Sequence, residues 1–433
     1  MIQPKRPSGF NELLPADQLA MNAMISIIKM SYEQYGYAPI ETPALELSQV
    51  LLAKEGGETA KQVYRFTKGD TDLAMRFDLT IPLARYAAEH FNELAFPFRR
   101  YQIQEVWRAE KAQAGRYRQF YQCDIDTLGS KNPMSDADTI LTMHSALHAL
   151  GLKNIIFKIS HRGLLNGILE SKKLTKSSTE VLRAVDKLDK QGEAAVTNEL
   201  QKNNLSRKDA KDIIDFVKHS GNVKTIFAYV KSLKINNETF THSLAELEMI
   251  CQLLQAGGLS SNEFVIDLSV ARGLDYYTGM VFETVLTKNL KLGSICGGGR
   301  YDNLLASYHK DSIPGVGASI GLSRLFSALK ESFKSMPANP AHVLVVPFEQ
   351  ELAKYSLEVA LTLRKHGLNV LVYPGFEKMG KQLGYADKLG ISFAVLCGSN
   401  EADKKSVTIK NLKTGKQVTV ALTKAAATIK KSL

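Results

Sequence analysis

Residues 98–126 place a cation, an amide and carboxylates at spacings that suit the binding of a small charged molecule. Two alternating runs, RRYQIQEVW and RQFYQCDID, flank a charged loop, which predicts two antiparallel strands joined by a hairpin. Because side chains alternate along a strand, Arg108, Gln122, Asp124 and Asp126 can share one face. Such a face suits a zwitterion joined to a phosphate. A solvent-facing hairpin whose charges keep the sheet edge soluble explains the same pattern.

A second cluster lies in RFDLTIPLARY, residues 76–86. Asp78 and Thr80 are two residues apart, which predicts that they lie on the same side of a strand. A carboxylate and a hydroxyl at this spacing can hold an ammonium group through charge-assisted hydrogen bonds. The alternative is that Asp78 ends a strand and caps the helix that follows.

A third cluster is ARGLDYYTGMVFE, residues 271–283, where Arg272, Asp275, Tyr276 and Tyr277 crowd a tight segment. Converging polar, aromatic and cationic groups favour a small-molecule pocket. Arginine stabilises phosphate charge through paired donors and keeps its proton. A structural Arg–Asp pair is the alternative.

Two glycine-rich segments follow, ICGGGRYDNLL at 295–305 and GVGASIGLSRLFSAL at 315–329. Three glycines after a strand let the backbone approach a ligand closely, and Arg324 lies in the first turns of a predicted helix. Close packing alone is the alternative explanation for these glycines.

GFEKMGKQ, at 375–382, nearly matches a P-loop, but Gln382 stands where Ser or Thr must ligate Mg²⁺. This difference excludes a P-loop nucleotide-binding protein.

The elements that must position these residues fall into three regions. Strand patterns dominate the first part of the chain, short helical patterns dominate about 165–258, and strand patterns resume at Glu263. After the proline-containing MPANPA, strands and helices alternate to the end of the chain, which predicts a compact α/β domain. With 433 residues, the chain is long enough for two or three domains.

Charge and composition narrow the class of protein. The net charge is +11, and from Pro337 onward 14 basic residues stand against 7 acidic ones. A basic module favours contact with nucleic acid, although a lysine-rich solubilising surface explains it as well. Four scattered cysteines predict buried thiols in a reducing compartment. Without an apolar run of about 18 residues, we expect a cytoplasmic protein with no membrane contact.

Taken in this order, the segments resemble class II histidyl-tRNA synthetases over almost the whole chain. GYAPIETPALE resembles motif 1, whose proline, Pro43 here, belongs to the dimer interface; WRAEKAQAGRYRQFYQCDID resembles motif 2, and GASIGLSRL motif 3. RGLDYYTG with GGGRYDNL is more specific, because the pair resembles the two histidine-specific signatures. The resemblance implies an antiparallel-sheet class II catalytic core over 1–335 with a helical insertion at about 165–258. It also implies an α/β anticodon-binding domain over 336–433.

The family pattern also implies a role for each matching residue. The histidine-binding residues would be Asp78, Leu79, Thr80, Arg108, Gln122, Asp126, Arg272, Tyr276 and Tyr277. Of these, Asp78, Thr80 and Gln122 would bind the α-amino group. Asp126 and the two tyrosines would surround the imidazole. The ATP-binding residues would be Arg108, Glu110, Arg116, Phe120 and Arg324, with Arg108 on the α-phosphate, Phe120 stacked on adenine and Arg324 near the adenine and γ-phosphate. Arg108 and Arg272 would be catalytic, and no protein-held metal is expected.

These roles imply a histidine–tRNA ligase. It would join L-histidine to ATP as histidyl-adenylate and then transfer histidine to the 3′-terminal ribose of tRNA(His). Arg108 and Arg272 would neutralise the repulsion between carboxylate and α-phosphate. Mg²⁺ would be held mainly by ATP phosphates. Asp126 would select histidine over other amino acids. The basic C-terminal domain would bind the anticodon bases of the tRNA. The enzyme would be a homodimer.

Two departures from the family pattern affect these expectations. Ser323 precedes Arg324 where the family usually has an acidic residue, and the loop between Arg108 and Arg116 is shorter than in some relatives.

A non-catalytic relative, the regulatory subunit of ATP phosphoribosyltransferase, is the main alternative function for this chain. That family typically lacks the anticodon-binding domain and the intact catalytic signatures. A generic nucleic-acid-binding protein would leave RGLDYYTG unexplained.

Overall fold

The structure is a computed structural model that describes residues 2–52, 58–111, 115–270, 276–310, 312–333 and 337–433. The chain divides into two compact units, Met1–Asn11 with Met24–Ala328, and Glu12–Ala23 with Leu329–Leu433. Among the described residues, no helix is both long enough and apolar enough to cross a membrane. All four cysteines are buried and unpaired, as predicted.

The strands in chain order are β1 (Ala38–Pro39), β2 (Leu45–Leu47), β3 (Arg65–Lys68), β4 (Thr71–Met75), β5 (Phe98–Trp107), β6 (Gln119–Leu128), β7 (Ile155–His161), β8 (Ser220–Gly221), β9 (Phe264–Asp267), β10 (Met280–Leu286), β11 (Ser294–Tyr301), β12 (Gly315–Gly321), β13 (Val343–Pro347), β14 (Val370–Val372), β15 (Phe393–Cys397), β16 (Ser406–Asn411) and β17 (Gln417–Ala421). The helices are α1 (Pro15–Gln34), α2 (Ser48–Leu51), α3 (Glu58–Gln62), α4 (Thr80–Glu89), α5 (Pro133–Ala149), α6 (Arg162–Ser171), α7 (Ser178–Val185), α8 (Leu188–Gln191), α9 (Glu193–Lys202), α10 (Arg207–Val217), α11 (Val223–Ser232), α12 (Glu238–Ala256), α13 (Leu322–Leu329), α14 (Ala353–Lys365), α15 (Met379–Lys388), α16 (Ser399–Asp403) and α17 (Leu422–Lys430).

A large mixed sheet forms the core of the first unit. Within the described ranges its strand order is β1-β5-β6-β12-β11-β10-β7-β9-β8. Neighbouring strands are antiparallel except for the pairs β1–β5 and β7–β9. β5 and β6 pair continuously from Phe98 opposite Leu128 to Trp107 opposite Gln119. The predicted hairpin and the largely antiparallel core are therefore confirmed.

The chain between β4 and α4 differs from its predicted strand. β4 ends at Met75, and α4 begins at Thr80. Pro82 is the third residue of α4, a position where the missing N–H has no helical partner to lose. Asp78 and Thr80 therefore do not share a strand face, and that prediction is wrong. They flank a helix start instead.

Helices fill most of the segment between β7 and β9. Helices α6 to α12 lie in it, and the two-residue strand β8 pairs with β9. α12 packs against both α5 and α6. The helical character expected for about 165–258 is present in the described residues.

The second unit contains a five-stranded sheet in the order β14-β13-β15-β16-β17. β14, β13 and β15 are parallel, and every residue of β13 and β15 is buried, as expected for strands covered on both faces. Residues of α14 and α17 join the apolar cluster on one side of the sheet, and Ala386 of α15 joins the other. The predicted C-terminal α/β fold is confirmed.

Candidate active site

Two cavities of the first unit meet on the β5–β6 hairpin. We call the first the acidic cavity, because Asp78, Asp124 and Asp126 line it together with Tyr276, Tyr277 and Tyr301. We call the second the basic cavity, because Arg108, Arg116 and Arg324 line it together with Glu110 and Phe120. Arg108, Gln122 and Ser319 line both. A molecule with a cationic end and an anionic end can therefore lie across the junction.

Asp126 lines the acidic cavity and is held by two other side chains. Its Oδ2 is 2.6 Å from Nη2 of Arg100, and its Oδ1 accepts a hydrogen bond of 2.5 Å from the hydroxyl of Tyr301. The three side chains are almost fully shielded from water. A charged, hydrogen-bonded carboxylate in such surroundings has a fixed orientation, which is the requirement for selecting a polar ligand.

Negative charge is concentrated in the acidic cavity. Three buried carboxylates, those of Asp78, Asp124 and Asp126, lie near the buried guanidinium of Arg100 and the partly exposed one of Arg108. Burial raises the pKa of Asp124 to about 7, with a further contribution from the charge of Asp126, although Arg100 opposes the shift. Burial likewise raises the pKa of Asp126 to about 6. A bound cation would relieve this unfavourable concentration of negative charge.

Asp78 lines the acidic cavity, and only one of its two carboxylate oxygens is hydrogen-bonded among the described residues. Its Oδ1 accepts a 3.0 Å hydrogen bond from the backbone N–H of Ile81, so it does cap the start of α4. Its buried Oδ2 has no hydrogen-bond partner among the described residues. Burial raises the pKa of this carboxyl. The capping alternative and the ligand-binding hypothesis are thus compatible, with one oxygen for each.

Arg108 and Gln122 form the junction between the cavities. Nε of Arg108 donates to the carbonyl of Phe77 at 3.1 Å, and its guanidinium lies 4.4 Å from the Phe77 ring and 5.1 Å from the Phe120 ring. Gln122 donates to Oγ of Ser319 at 2.8 Å and accepts from Arg108 at 3.5 Å. These contacts fix the cation where the two cavities meet.

The basic cavity has more exposed charges. Nη1 of Arg324 donates to the carbonyl of Ser294 at 2.9 Å, and Nε donates to the carbonyl of Gly115 at 3.4 Å. Glu110 and Arg116 approach to 3.9 Å. Burial, and then the positive charge of Arg116, lowers the pKa of Arg324. Cations crowded in this way are suited to an anionic ligand such as a phosphate.

Ser323 has a contact of its own that does not involve Arg324. Its Oγ accepts a hydrogen bond of 3.0 Å from the backbone N–H of Tyr121 on β6. Two backbone carbonyls, those of Gly115 and Ser294, accept hydrogen bonds from the Arg324 guanidinium. The serine therefore ties α13 to the hairpin.

The other predicted site residues have distinct placements. The ring centroids of Tyr276 and Tyr277 are 4.9 Å apart, and the carbonyl of Tyr277 accepts from Arg162 at 2.8 Å. Leu79 is fully buried and lines neither cavity, but its carbonyl accepts from Arg100 at 3.2 Å. Arg272, with its neighbour Asp275, lies outside the described residues.

The glycines of GGGRYDNL lie within β11 rather than after a strand, so that part of the prediction is wrong. Gly297 lines the basic cavity. A Cβ at Gly298 would overlap the backbone of β12, and one at Gly317 would overlap the carboxylate of Asp126. Close packing thus explains Gly298, while Gly317 leaves the space that Asp126 occupies.

Alternation along β11 places Arg300 and Tyr301, the two signature residues with polar side chains within the strand, on opposite faces. Tyr301 faces Asp126, whereas Nε of Arg300 donates to Oδ1 of Asp136 on α5 at 3.0 Å. Both Arg300 and Asp136 are buried. One residue of the motif therefore serves the acidic cavity, and its neighbour attaches the sheet to α5.

Three residues that position the site were not predicted from the sequence: Arg100, Tyr301 and Ser319. Arg100 is part of the alternating run RRYQIQEVW, two positions from Gln102 on the same strand face. In the structure Arg100 lies opposite Asp126 in the β5–β6 hairpin, so the register of the predicted hairpin, had it been known, would have indicated Arg100. Local periodicity does not show which of two alternating faces is buried.

Comparisons with known proteins agree with this geometry. The family model described as histidyl-tRNA synthetase matches residues 9–325, and the model described as anticodon binding domain matches residues 342–432. A histidine–tRNA ligase of Clostridium tetani is 42% identical over 435 residues, covering 99% of this chain and 99% of that protein. One of Xanthomonas campestris is 40% identical over 465 residues, covering 100% of this chain and 97% of that protein.

Solved structures give the same result at the level of the fold. The crystal structure of histidyl-tRNA synthetase from Nostoc sp. PCC 7120 has a TM-score of 0.88 at 38% identity and covers 100% of both chains. A structure described as an ATP phosphoribosyltransferase regulatory subunit/histidyl-tRNA synthetase from Bacillus halodurans has a TM-score of 0.78 at 22% identity, covering 92% of this chain and 99% of that one. The second likeness concerns the fold alone.

Proposed function

The chain belongs to the histidyl-tRNA synthetase family and is a histidine–tRNA ligase, and from that premise we propose which residues bind each substrate. The enzyme first joins L-histidine to ATP as histidyl-adenylate with release of pyrophosphate. It then transfers histidine to the 3′-terminal ribose of tRNA(His). The assignment rests on one observation: an acidic and a basic cavity share Arg108, Gln122 and Ser319.

We assign histidine to the acidic cavity. The free Oδ2 of Asp78, with Thr80 and Gln122, receives the α-ammonium group, and Leu79 contributes by holding Arg100 through its carbonyl. Asp126 and Tyr277 bind the ring nitrogens, and Tyr276 closes the side of the ring. A side chain without those nitrogens would leave buried polar groups unpaired, which gives selectivity against other amino acids.

We assign ATP to the basic cavity. Phe120 stacks on the adenine, and Arg324 lies near the adenine and the γ-phosphate. Arg116 and Glu110 complete this end, where their 3.9 Å separation leaves both groups able to reorganise around phosphates. Supporting this assignment, Arg108, Arg116 and Arg324 together give the cavity an excess of positive charge.

We propose that Arg108 and Arg272 are the catalytic residues. Adenylation brings the histidine carboxylate to the α-phosphate, so two anions must approach, and flanking guanidinium groups stabilise the charge of the transition state. The packing of Arg108 on two aromatic rings fits this role because its position is fixed before substrates bind. Arg272 contacts the carboxylate and the α-phosphate in this assignment.

We propose that Mg²⁺ is held mainly by ATP. Mg²⁺ in nucleotide sites takes one or two carboxylates together with phosphate oxygens. Among the described residues that line the basic cavity, Glu110 is the carboxylate available for that purpose. This donor set fits an ion that arrives with the nucleotide, and the ion supplies charge neutralisation at the phosphates.

We propose domain bounds of 1–335 for the catalytic region, with its insertion at about 165–258, and 336–433 for the anticodon-binding domain. The excess of basic residues in the anticodon-binding domain supports contact with tRNA, whose binding should weaken with added salt.

We further propose that the enzyme is a homodimer and that it works in the cytoplasm. Mass measurement in solution and cell fractionation test these two points.

Histidine-dependent ATP–pyrophosphate exchange tests the assignment. The purified chain should catalyse exchange with L-histidine, and Arg272→Ala should nearly abolish it while circular dichroism and melting temperature remain those of the parent. Exchange supported by another amino acid instead of histidine would refute the acidic-cavity assignment. Unchanged exchange by Arg272→Ala would remove that residue from the catalytic pair.

A further inference from the structure

Two histidines and a glutamate converge in the first unit at a place that lines neither active-site cavity. His144 and His148 are one helical turn apart on α5, so their side chains lie on the same face. Glu263 immediately precedes β9. One potential ligand atom from each of the three lies within 4.8 Å of the other two.

Both histidine nitrogens converge on one carboxylate oxygen of Glu263, and the contact from His144 is also an ordinary hydrogen bond. Nε2 of His144 is 2.9 Å and Nε2 of His148 is 3.2 Å from the same oxygen, Oε1 of Glu263. Ligand atoms at about 2.0–2.1 Å from a tetrahedral Zn²⁺ lie about 3.3 Å from one another. The two nitrogen–oxygen separations are within a few tenths of an ångström of that value.

His148 provides an independent indication. Its Nε2 is shielded from water and lies 3.2 Å from Oε1 of Glu263, but makes no hydrogen bond of good geometry with any residue that the structure describes. An imidazole nitrogen buried beside a carboxylate without a hydrogen bond is costly. Coordination of an ion by its lone pair would satisfy it.

The carboxylate is also oriented from behind. Oε2 of Glu263 accepts hydrogen bonds from the backbone N–H of Ser260 at 3.0 Å and from its hydroxyl at 2.7 Å, which leaves Oε1 for the histidines. The backbone of Glu263 is fixed as well, since its carbonyl accepts from Phe157 of β7 at 2.8 Å. Such outer contacts are typical of metal sites.

We propose that His144, His148 and Glu263 form a binding site for a divalent transition-metal ion, with Zn²⁺ as the preferred ion. Two imidazoles and one carboxylate favour Zn²⁺ over Mg²⁺ or Ca²⁺, which prefer oxygen ligands. A water molecule would fill the fourth position. The ion would connect the last turns of α5 to the turn before β9 and so stabilise this part of the catalytic unit.

Metal content of the full-length protein tests the site. The chain is purified without a histidine tag, treated with a chelator, dialysed against Zn²⁺ or Mg²⁺, and analysed by elemental mass spectrometry. We expect one Zn²⁺ per chain, no retained Mg²⁺, and a higher melting temperature with Zn²⁺. His148→Ala should lose the bound ion and the shift in melting temperature, and Ser260→Ala should weaken binding about tenfold.

A matched control separates this site from surface binding. His242 is another histidine one turn from a glutamate, with Nε2 3.4 Å from Glu246, and His242→Ala should retain the ion. Glu263→Gln, which keeps the shape of the side chain, serves as a second loss variant if His148→Ala does not fold. Failure of the parent to retain Zn²⁺, or equal retention by both loss variants, would overturn the proposal.

Discussion

The acidic and basic cavities lie side by side on one hairpin, yet they treat charge differently. In the acidic cavity Asp78, Asp124 and Asp126 are each at most 3% exposed, and the compensating Arg100 is fully buried. In the basic cavity the side chains of Glu110 and Arg116 are 27% and 42% exposed. One cavity holds its charges away from water, and the other leaves them accessible.

This difference matches the roles that we propose for the two cavities. A charged or polar group that is left unpaired where water is excluded costs free energy. Buried carboxylates can therefore reject an amino acid that does not pair with them. ATP carries several negative charges, so the basic cavity, which we propose as its site, gains from accessible cations that can adapt to the phosphates. The comparison therefore predicts selectivity from the acidic cavity and nucleotide affinity from the basic one.

Removing the shared cation should give the largest effect. Arg108→Ala takes away the guanidinium at the junction, where charge develops in adenylation, and we expect exchange to fall by about 10²–10³-fold. Pre-steady-state adenylation with saturating substrates measures the chemical step. Arg118→Ala is a control on the same hairpin, since Arg118 donates to the carbonyls of Glu110 and Ser8 and lines neither cavity. A loss below tenfold in Arg108→Ala would contradict the junction model.

Neutralising the acidic cavity should affect histidine alone. We expect Asp126→Asn to lower kcat/KM for histidine by about 100-fold with little change in the KM for ATP. The same change leaves Arg100 without its buried partner and should destabilise the fold by about 3–5 kcal/mol. Tyr301→Phe keeps the ion pair and removes one hydrogen bond, so its loss should be nearer tenfold. Equal rises in both KM values would break the division between the cavities.

Truncation in the basic cavity should have the opposite specificity. We expect Arg324→Ala to raise the KM for ATP by about tenfold while the KM for histidine stays within twofold, because one partly exposed charge–phosphate contact is lost. Ser323→Ala is the matched control, since it removes only the hydrogen bond to Tyr121 and should cost about 1 kcal/mol of stability. A histidine defect in Arg324→Ala would show that the two cavities are coupled.

Local sequence patterns predicted the parts of this arrangement that depend on local chemistry. The hairpin followed from alternation, and its register brings Asp126 opposite Arg100. The C-terminal α/β unit followed from alternating strand and helix patterns. The start of α4 was mistaken for a strand, because the apolar and polar residues before Pro82 alternate although Thr80 already begins the helix.

Contacts between distant segments were harder to predict. Tyr301 and Asp126 are far apart in the chain, and they meet because β12 pairs with both β11 and β6, with Gly315 opposite Tyr301 and Gly317 opposite Asp126. Neither residue alone indicates its partner. Strand alternation indicated Asp126 as a candidate and the family resemblance implied its role, whereas Arg100 and Tyr301, which hold it, required the structure.

The smallest expected effect concerns the stability cost of buried acidic charge. The pKa values of about 7 for Asp124 and about 6 for Asp126 are above those of an unfolded chain. The folded protein therefore keeps protons that the unfolded chain releases. Its stabilisation from these groups is complete below about pH 4 and is lost as the pH rises through 6 to 7.

Asp124→Asn should remove most of that pH dependence, because an amide does not ionise. Relative to the parent, we expect the variant to gain about 1–2 kcal/mol more stability at pH 8 than at pH 5.5. Urea unfolding of the ligand-free chain at the two pH values measures this difference. Asp70→Asn, at an exposed turn, should show no such change. An equal change in the free energy of unfolding at both pH values would mean that ionisation of Asp124 does not destabilise the ligand-free enzyme. A pH-dependent gain, accompanied by weaker histidine binding, would indicate that the cavity exchanges stability for affinity toward a cation.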